Sequence, residues 1–512
     1  MKDSSKISQK LSPRKYALLT GTLLLTSSGL ITRILGFFYR IFLSRTIGAE
    51  GLGLYNLVHP IFGICFALCA GSMQTAISQA VAANVRKGRS IFRTGLIISV
   101  AVSFFLAFGI LYFQDFLAIH VLMEPRCAPL LTFMAVSVPC SAIHACINGY
   151  YYGMQRPSVP AMAQVMEQTI RIGAVFLIAD IMLESGIQIT VQLAVFGHLA
   201  GEIASSLYTI TAYQFFPPKQ KEAAQRTSFA GTAPGLMTLA LPLMGNRLVL
   251  NLLASAEAIW IPSRLKMSGL SDSAAFSVYG VLTGMALPFI LFPSTVFNSL
   301  AVLLLPTVAE AQSEGNKKRI GDAISMSLRY CLYVGILCIG IFTLFGKDLG
   351  LSVFKDKTAG TYMTILAWLC PFLYLATTMG SILNGLGKTS TTFVQNVTAM
   401  AVRLCFVVIG IPRFGILAYL VGMLVSELLL AMMHVLSLKR RVVFEWNAWE
   451  LIVKPVFFMA LAVGIYFAGC SLWDPFVNMP LFIKTGFHII EVSMVYFALL
   501  AASHLFKAAA SG

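Results

Sequence analysis

Three arginines, Arg33, Arg40 and Arg45, interrupt an otherwise apolar run from Tyr16 to Ile47 near the start of a 512-residue chain. Thr22, Thr26, Gly29, Arg33, Gly36, Arg40 and Ser44 follow one another at steps of three or four, so on a helix they share one small, polar and cationic face. The other faces carry Leu, Ile and Phe. An arginine at membrane depth costs about 2.5–3.5 kcal/mol on insertion scales and is tolerated where it meets a partner or a watery cavity. A guanidinium lining such a cavity is a ready receptor for a diphosphate, which its planar fork of donors can grip in two places. The run is also long enough for Arg40 and Arg45 to extend along apolar surface to the far interface.

A second stretch has the same character. In LPLMGNRLVLNLLASAEAIWIPSRLK, the residues Asn246, Leu250, Leu253, Glu257 and Arg264 form one helical stripe, with Arg247, Asn251, Ala254 and Ala258 beside it. Pro262 is expected to bend or end this helix. Arg33, Arg40, Arg247, Glu257 and Arg264 are therefore the candidate ligand-binding residues. A second set comprises Glu167 and Arg171, spaced to neutralise each other or to line a cleft; Glu202, with His198 one turn before it; and Arg403. Ala399 occupies the position where Arg403 would find an i−4 carboxylate, so that arginine needs another partner or a ligand. Glu427 and His434 share a face further on and read as structural or interfacial, while His59, Gln74 and Asn84 fit a wet interior.

The elements that must position these groups are membrane helices. The chain is 57% hydrophobic and 11% charged, with a mean hydropathy of +0.80, and it offers about fourteen apolar stretches of spanning length. The reading is an all-α polytopic membrane protein of about 14 transmembrane helices. It divides into a basic segment 1–15, an N-lobe 16–216 (helices 1–6), a linker 217–231, a C-lobe 232–438 (helices 7–12) and a C-terminal pair of helices within 439–512. Lys and Arg concentrate in the N-terminus and the even-numbered connections, which places both termini in the cytoplasm.

Pro139, Gly153 and Arg171 recur as Pro371, Gly385 and Arg403, and Ala135 and Val165 as Ala367 and Val397, all 232 positions apart. The matched blocks fall on helices 4–5 and 10–11. Two pseudo-symmetric six-helix lobes of like orientation, facing each other across a central cleft, follow from an offset of six helices. Gly280, Gly284, Pro288 and Pro293 punctuate helix 8 as they would a helix that flexes.

The formal charge of +16 is spread between helices rather than on one domain, so no nucleic-acid partner is expected. The ten cysteines lie almost all in apolar runs without CxxC spacing and read as small apolar fillers. No Walker A loop, GxSxG or HExxH motif is present, so no enzyme is expected. No cofactor is expected either; a coupling ion, Na+ or H+, is compatible.

The runs SSGLITRILGFFYRIFLSRTIGAEGLGLYNLVHP, TAISQAVAANVRKGR, NRLVLNLLASAEAIWIPSRLKMSG, VYGVLTGMALPFILFPSTVFNSLAVLLLPTVAEAQ and GEIASSLY resemble the stage V sporulation protein B group of polysaccharide-biosynthesis membrane proteins. That group belongs to the superfamily of lipid II flippases, O-antigen flippases and multidrug exporters of the MATE type. The resemblance implies two six-helix lobes plus two C-terminal helices in the bacterial cytoplasmic membrane. It also implies translocation of an undecaprenyl-diphosphate-linked saccharide, with the peptidoglycan precursor lipid II for spore cortex first among candidates. Implied partners are that lipid-linked oligosaccharide, membrane lipids and cell-wall synthesis enzymes. Cavity arginines of the lipid II flippases are thought to engage the diphosphate; here the matching motif supplies Arg33, with Arg40 and Arg45 nearby, while a position cationic in some relatives is Tyr39. Helix 8 lacks an arginine, which points to Arg247 and Arg264 instead. An ion-coupled drug exporter using Glu202, Glu257 and Glu427, and a non-transporting scaffold of a wall-synthesis complex, are the alternatives.

Overall fold

The computed structural model describes the backbone of residues 13–218, 227–472 and 479–511, and side chains over 24–218, 227–469 and 479–503. The basic residues Lys2, Lys6, Lys10, Arg14 and Lys15, together with Thr22, Lys219, Lys221, Arg226 and Cys470, lie outside the described side chains. No strand occurs among the described residues. In hydrocarbon every backbone donor must be satisfied within its own segment, and helices do that.

The helices are α1 (Pro13–Thr46), α2 (Gly48–Ala83), α3 (Val85–Tyr112), α4 (Pro125–Gly153), α5 (Ser158–Glu184), α6 (Val191–Phe215) and α7 (Phe229–Met267). They continue as α8 (Asp272–Leu291 with Ser294–Ser313), α9 (Lys317–Phe354), α10 (Lys357–Gly385), α11 (Thr389–Phe414), α12 (Ile416–Lys439), α13 (Trp449–Gly469) and α14 (Leu481–Ser503). Thirteen stretches among the described residues are long and apolar enough to cross a bilayer. The two halves of α8 count separately there, yet Phe292 (φ −60°, ψ −47°) and Pro293 (φ −63°, ψ −25°) keep right-handed helical angles between them. The chain therefore kinks at Pro293 without turning back, because the proline removes one donor and crowds the preceding turn. Two further long helices are α1, which carries Arg33, Arg40 and Arg45, and α5, which carries Glu167, Arg171 and Asp180. With α8 as one crossing, about fourteen membrane helices result.

Two compact units emerge, Met1–Ser263 and Arg264–Gly512. The sequence-based division placed all of helix 7 in the C-lobe. By its contacts most of α7 lies with the first unit, because Arg247 and Ser255 reach side-chain and backbone groups of α2. Nor does Pro262 end that helix, which runs on to Met267.

Within the first unit α2, α3 and α6 pack on α4, α5 packs on α6, and α1 lies along α5. Within the second, α8, α9 and α12 pack on α10, and α11 packs on α12. Each of these pairs except α1 with α5 is thus repeated six helices later. The repeated glycines explain part of this. A Cβ at Gly153 would stand 2.8 Å from the Ser78 carbonyl and 2.7 Å from Val81, and one at Gly385 would stand 2.8 Å from the Leu305 carbonyl and 3.1 Å from Val308. Only a residue without a side chain lets α4 touch α2, and α10 touch α8, so closely. Helices α13 and α14 pack on each other and on α9.

The first unit's core gathers Met73, Ile77, Phe92, Cys146, Tyr150 and Leu236, with the Phe92 and Tyr150 rings stacked at 5.1 Å. In the second unit Phe297 stacks on Tyr374 at 4.4 Å. The nine described cysteines are free, and seven are buried as apolar filler. Phe104, Phe105 and Phe108 of α3 stand 60%, 77% and 68% exposed, a face suited to lipid.

Candidate functional site

In the first unit, α1 presents Arg33 and Arg45 as exposed residues and Arg40 as a half-buried one. Arg40 lies within electrostatic reach of Tyr39, of Tyr55 on α2 and of Arg171 on α5. Phe42 packs on Phe176 at 4.0 Å, which holds α1 against α5 two residues beyond Arg40 and five beyond Arg171. Arg171 donates to Glu167 at 2.5 Å and to Gln168 Oε1 at 3.4 Å. The ion pair readable from the i, i+4 spacing is therefore formed.

Glu202 on α6 is engaged differently. Its Oε2 lies 2.9 Å from Nε2 of His144 on α4, and its Oε1 lies 4.0 Å from Nε2 of His198. His198 was visible from the sequence as a neighbour on the same helix face. His144 was not singled out, since a lone histidine in the apolar run SAIHACINGY carries no periodic signal.

The seventh helix meets α2 along Arg247, Asn251 and Ser255. Arg247 donates to Thr75 Oγ1 at 3.1 Å, Asn251 to the Arg247 carbonyl at 2.8 Å, and Ser255 to the Asn251 carbonyl at 2.6 Å. Opposite, α2 widens into a π-type turn over Ala67–Gly71. Such turns put one residue too many into a helix and leave a carbonyl without its regular partner. Ser99 of α3 donates to the Cys69 carbonyl there. At the end of the turn, Gly71 leaves open the space the Arg247 guanidinium fills, since a Cβ at Gly71 would collide with its Nη1.

Among the described residues no carboxylate pairs with Arg247; a hydroxyl and a glycine hold its charge in place. Gly71→Ala is accordingly expected to push the guanidinium out of this seat while α2 remains helical, because both colliding groups, the Arg247 guanidinium and the Phe66 ring 2.6 Å from the added Cβ, are side chains that can turn aside. It should mimic Arg247→Ala in any transport assay. Equal stability with unchanged transport would show that the seat does not matter. Glu257, on the same helix, is buried at 7% exposure.

In the second unit Arg264 is half-buried and donates to Met267 Sδ at 3.1 Å, and Lys266 pairs with Asp272 at 3.2 Å. Arg403 finds its partner in Glu427 of α12 at 3.5 Å. Glu427 and His434 line a polar cavity of about 390 Å³ together with Asn384, Thr392 and Asn396, and His434 Nδ1 is bonded to Gln395 Oε1 at 2.8 Å. Arg171 and Arg403, equivalent in the internal repeat, are both paired, one along its own helix and the other across to the next.

This all-helical, internally repeated architecture, with arginines and carboxylates inside its spans, defines a multi-pass membrane protein. The chain is similar in fold to the lipid II flippase MurJ in its inward closed conformation, with a TM-score of 0.69 at 13% identity, covering 95% of this chain and 99% of that one. An inward-facing MATE-family multidrug resistance transporter of the MOP superfamily gives 0.66 at 14% identity, over 82% of this chain and 98% of that one. Residues 18–312 match the polysaccharide biosynthesis protein family, and the chain belongs to it. Among relatives, stage V sporulation protein B of Bacillus subtilis strain 168 is 28% identical over 441 residues, covering 83% of this chain and 84% of that one. The lipid II flippase MurJ of the same organism is 22% identical over 429 residues, covering 77% of each.

Proposed function

We propose that this protein translocates an undecaprenyl-diphosphate-linked saccharide, the peptidoglycan precursor lipid II in the first place, across the bacterial cytoplasmic membrane. The observation that carries the reading is the half-buried Arg247, seated at the π-type turn of α2 with a hydroxyl for a partner and, among the described residues, no carboxylate paired with it. A positive charge held in a helical interior by a hydroxyl rather than by a described carboxylate is matched by an anionic passenger. Arg40, beside Arg171, adds to the same positive field. Arg33, Glu257 and Arg264 complete the proposed passage for the headgroup, which both sides of the membrane reach in turn while the prenyl tail stays in lipid. Both termini lie in the cytoplasm on this reading, and wall-synthesis enzymes and membrane lipids are its partners. The likeness to stage V sporulation protein B supports a role in the spore cortex.

The drug-exporter alternative asks for uncommitted acids. Glu202 and Glu427, two of the three it would use, already hold His144 and Arg403.

Reconstitution into vesicles with labelled lipid II, followed by measurement of leaflet transfer, tests the proposal. Loss of a charge-assisted hydrogen bond costs about 1.5–3 kcal/mol. Arg247→Ala and Arg40→Ala should therefore each slow transfer by roughly ten- to a hundred-fold. Wild-type rates in both variants would refute the site, and absence of transfer by the wild-type protein would refute the substrate.

A further inference from the structure

One group of side chains is left unexplained by a diphosphate passage. Among the described residues, His144 of α4, Glu167 of α5 and Glu202 of α6 bring one ligand atom each to within 4.8 Å of one another. His144 and Glu202 are buried, at 9% and 5% exposure. His198, 5% exposed, has both ring nitrogens without a hydrogen-bond partner, and its Nε2 faces Glu202 Oε1 at 4.0 Å. The second nitrogen of His144, Nδ1, is equally unpartnered. An imidazole with neither nitrogen bonded is a costly thing to bury, and Phe62 set edge-on at 4.7 Å fixes the ring of His198 toward the carboxylate.

We propose that His144, Glu167, Glu202 and His198 form a binding site for a divalent transition-metal ion of the zinc class. The donor set argues for that class. Two imidazoles suit zinc and its neighbours, whereas Na+, Ca2+ and Mg2+ favour oxygen ligands alone. Two carboxylates supply the charge that a divalent ion requires. With bonds of about 2.0–2.2 Å, a tetrahedral zinc holds its ligand atoms about 3.3–3.6 Å apart; side-chain rotations of about an ångström draw the present set in around it. Arg171, 2.5 Å from Glu167, orients that carboxylate from outside, as hydrogen-bonded partners of metal ligands commonly do. Bound metal ties three helices of the first unit together.

The inference does not depend on the identity of the transported lipid, and its test uses no transport assay. The full chain, purified in detergent without a histidine tag and stripped with a chelator, is titrated with Co2+ and then with Zn2+. The expected result is one equivalent of Co2+ giving the visible absorption of a tetrahedral site, bleached by Zn2+ and not by Na+ or Mg2+. Glu202→Gln and His144→Asn should each weaken Zn2+ binding by more than a hundred-fold. Arg171→Lys, which acts through Glu167, should weaken it by about 10-fold. His434→Gln, in the second unit, should leave it unchanged. Zn2+ should also raise the unfolding temperature of the wild type and not of Glu202→Gln. No cobalt spectrum in the wild type, or the same spectrum in a folded Glu202→Gln variant, overturns the site. Should both ligand variants fail to fold, the wild-type titration still decides, since a protein without this site shows no tetrahedral band.

Discussion

Arg403→Ala is expected to destabilise the second unit by about 3–5 kcal/mol, the cost of stripping the partner from a buried charge. Arg403 and Glu427 keep 16% and 15% of their side-chain surface, so solvent screens little of the interaction. The pair also bridges two helices, α11 and α12, so its loss removes one of the links between them, beside those of Gln395 to His434 and Ser437, as well as orphaning a carboxylate. Replacing both residues with leucine should recover most of the loss, since a buried ion pair exchanged for packed apolar groups is often neutral. Chemical unfolding of the purified protein in detergent measures all three forms. An alanine variant as stable as the wild type would show that Glu427 is solvated or otherwise satisfied. Arg171→Ala, at the equivalent position of the repeat, should cost less, because its partner Glu167 lies on the same helix and no helix pair is released.

The second large effect is steric. A side chain at Gly149 would put its Cβ 2.5 Å from the Gln74 carbonyl oxygen and 3.0 Å from the Gln74 Cα, backbone atoms that cannot swing aside. Gly149→Val is expected to cost about 3 kcal/mol or more, or to abolish folding. Gly173 lies in the following helix with nothing within 4 Å of an added Cβ. Gly173→Ala should be neutral or stabilising by about 0.5–1 kcal/mol, through helix propensity alone. Comparing expression and unfolding of the two variants separates close helix contact from a general intolerance of glycine loss. Equal stabilities would remove the claim that α4 is held at backbone distance from α2.

The internal repeat was legible because Pro139, Gly153 and Arg171 perform local tasks that recur at the same spacing. Glycine at a helix crossing and proline within a helix act through their own backbone. The Glu167 to Arg171 pair was legible for a similar reason, since one helical turn brings them together without help from the fold. His198 beside Glu202 belongs with them. Arg403 shows where such reading ends, because the missing acid at position 399 established only that its partner lay elsewhere.

Composition and periodicity by themselves determined that this chain is a helical membrane protein of about fourteen spans. They also placed arginines within those spans and divided the chain into two related halves. Hydropathy and helical spacing are properties of consecutive residues, so no folding is needed to see them. Tertiary structure alone decided which charges are neutralised. It joined Glu427 to Arg403 and His144 to Glu202 across separate helices, and it set Arg247 into the space above Gly71 with the Thr75 hydroxyl as its partner. A charge in a low-dielectric interior is governed by whatever stands a few ångströms away, and the helices that come so close are far apart along the chain.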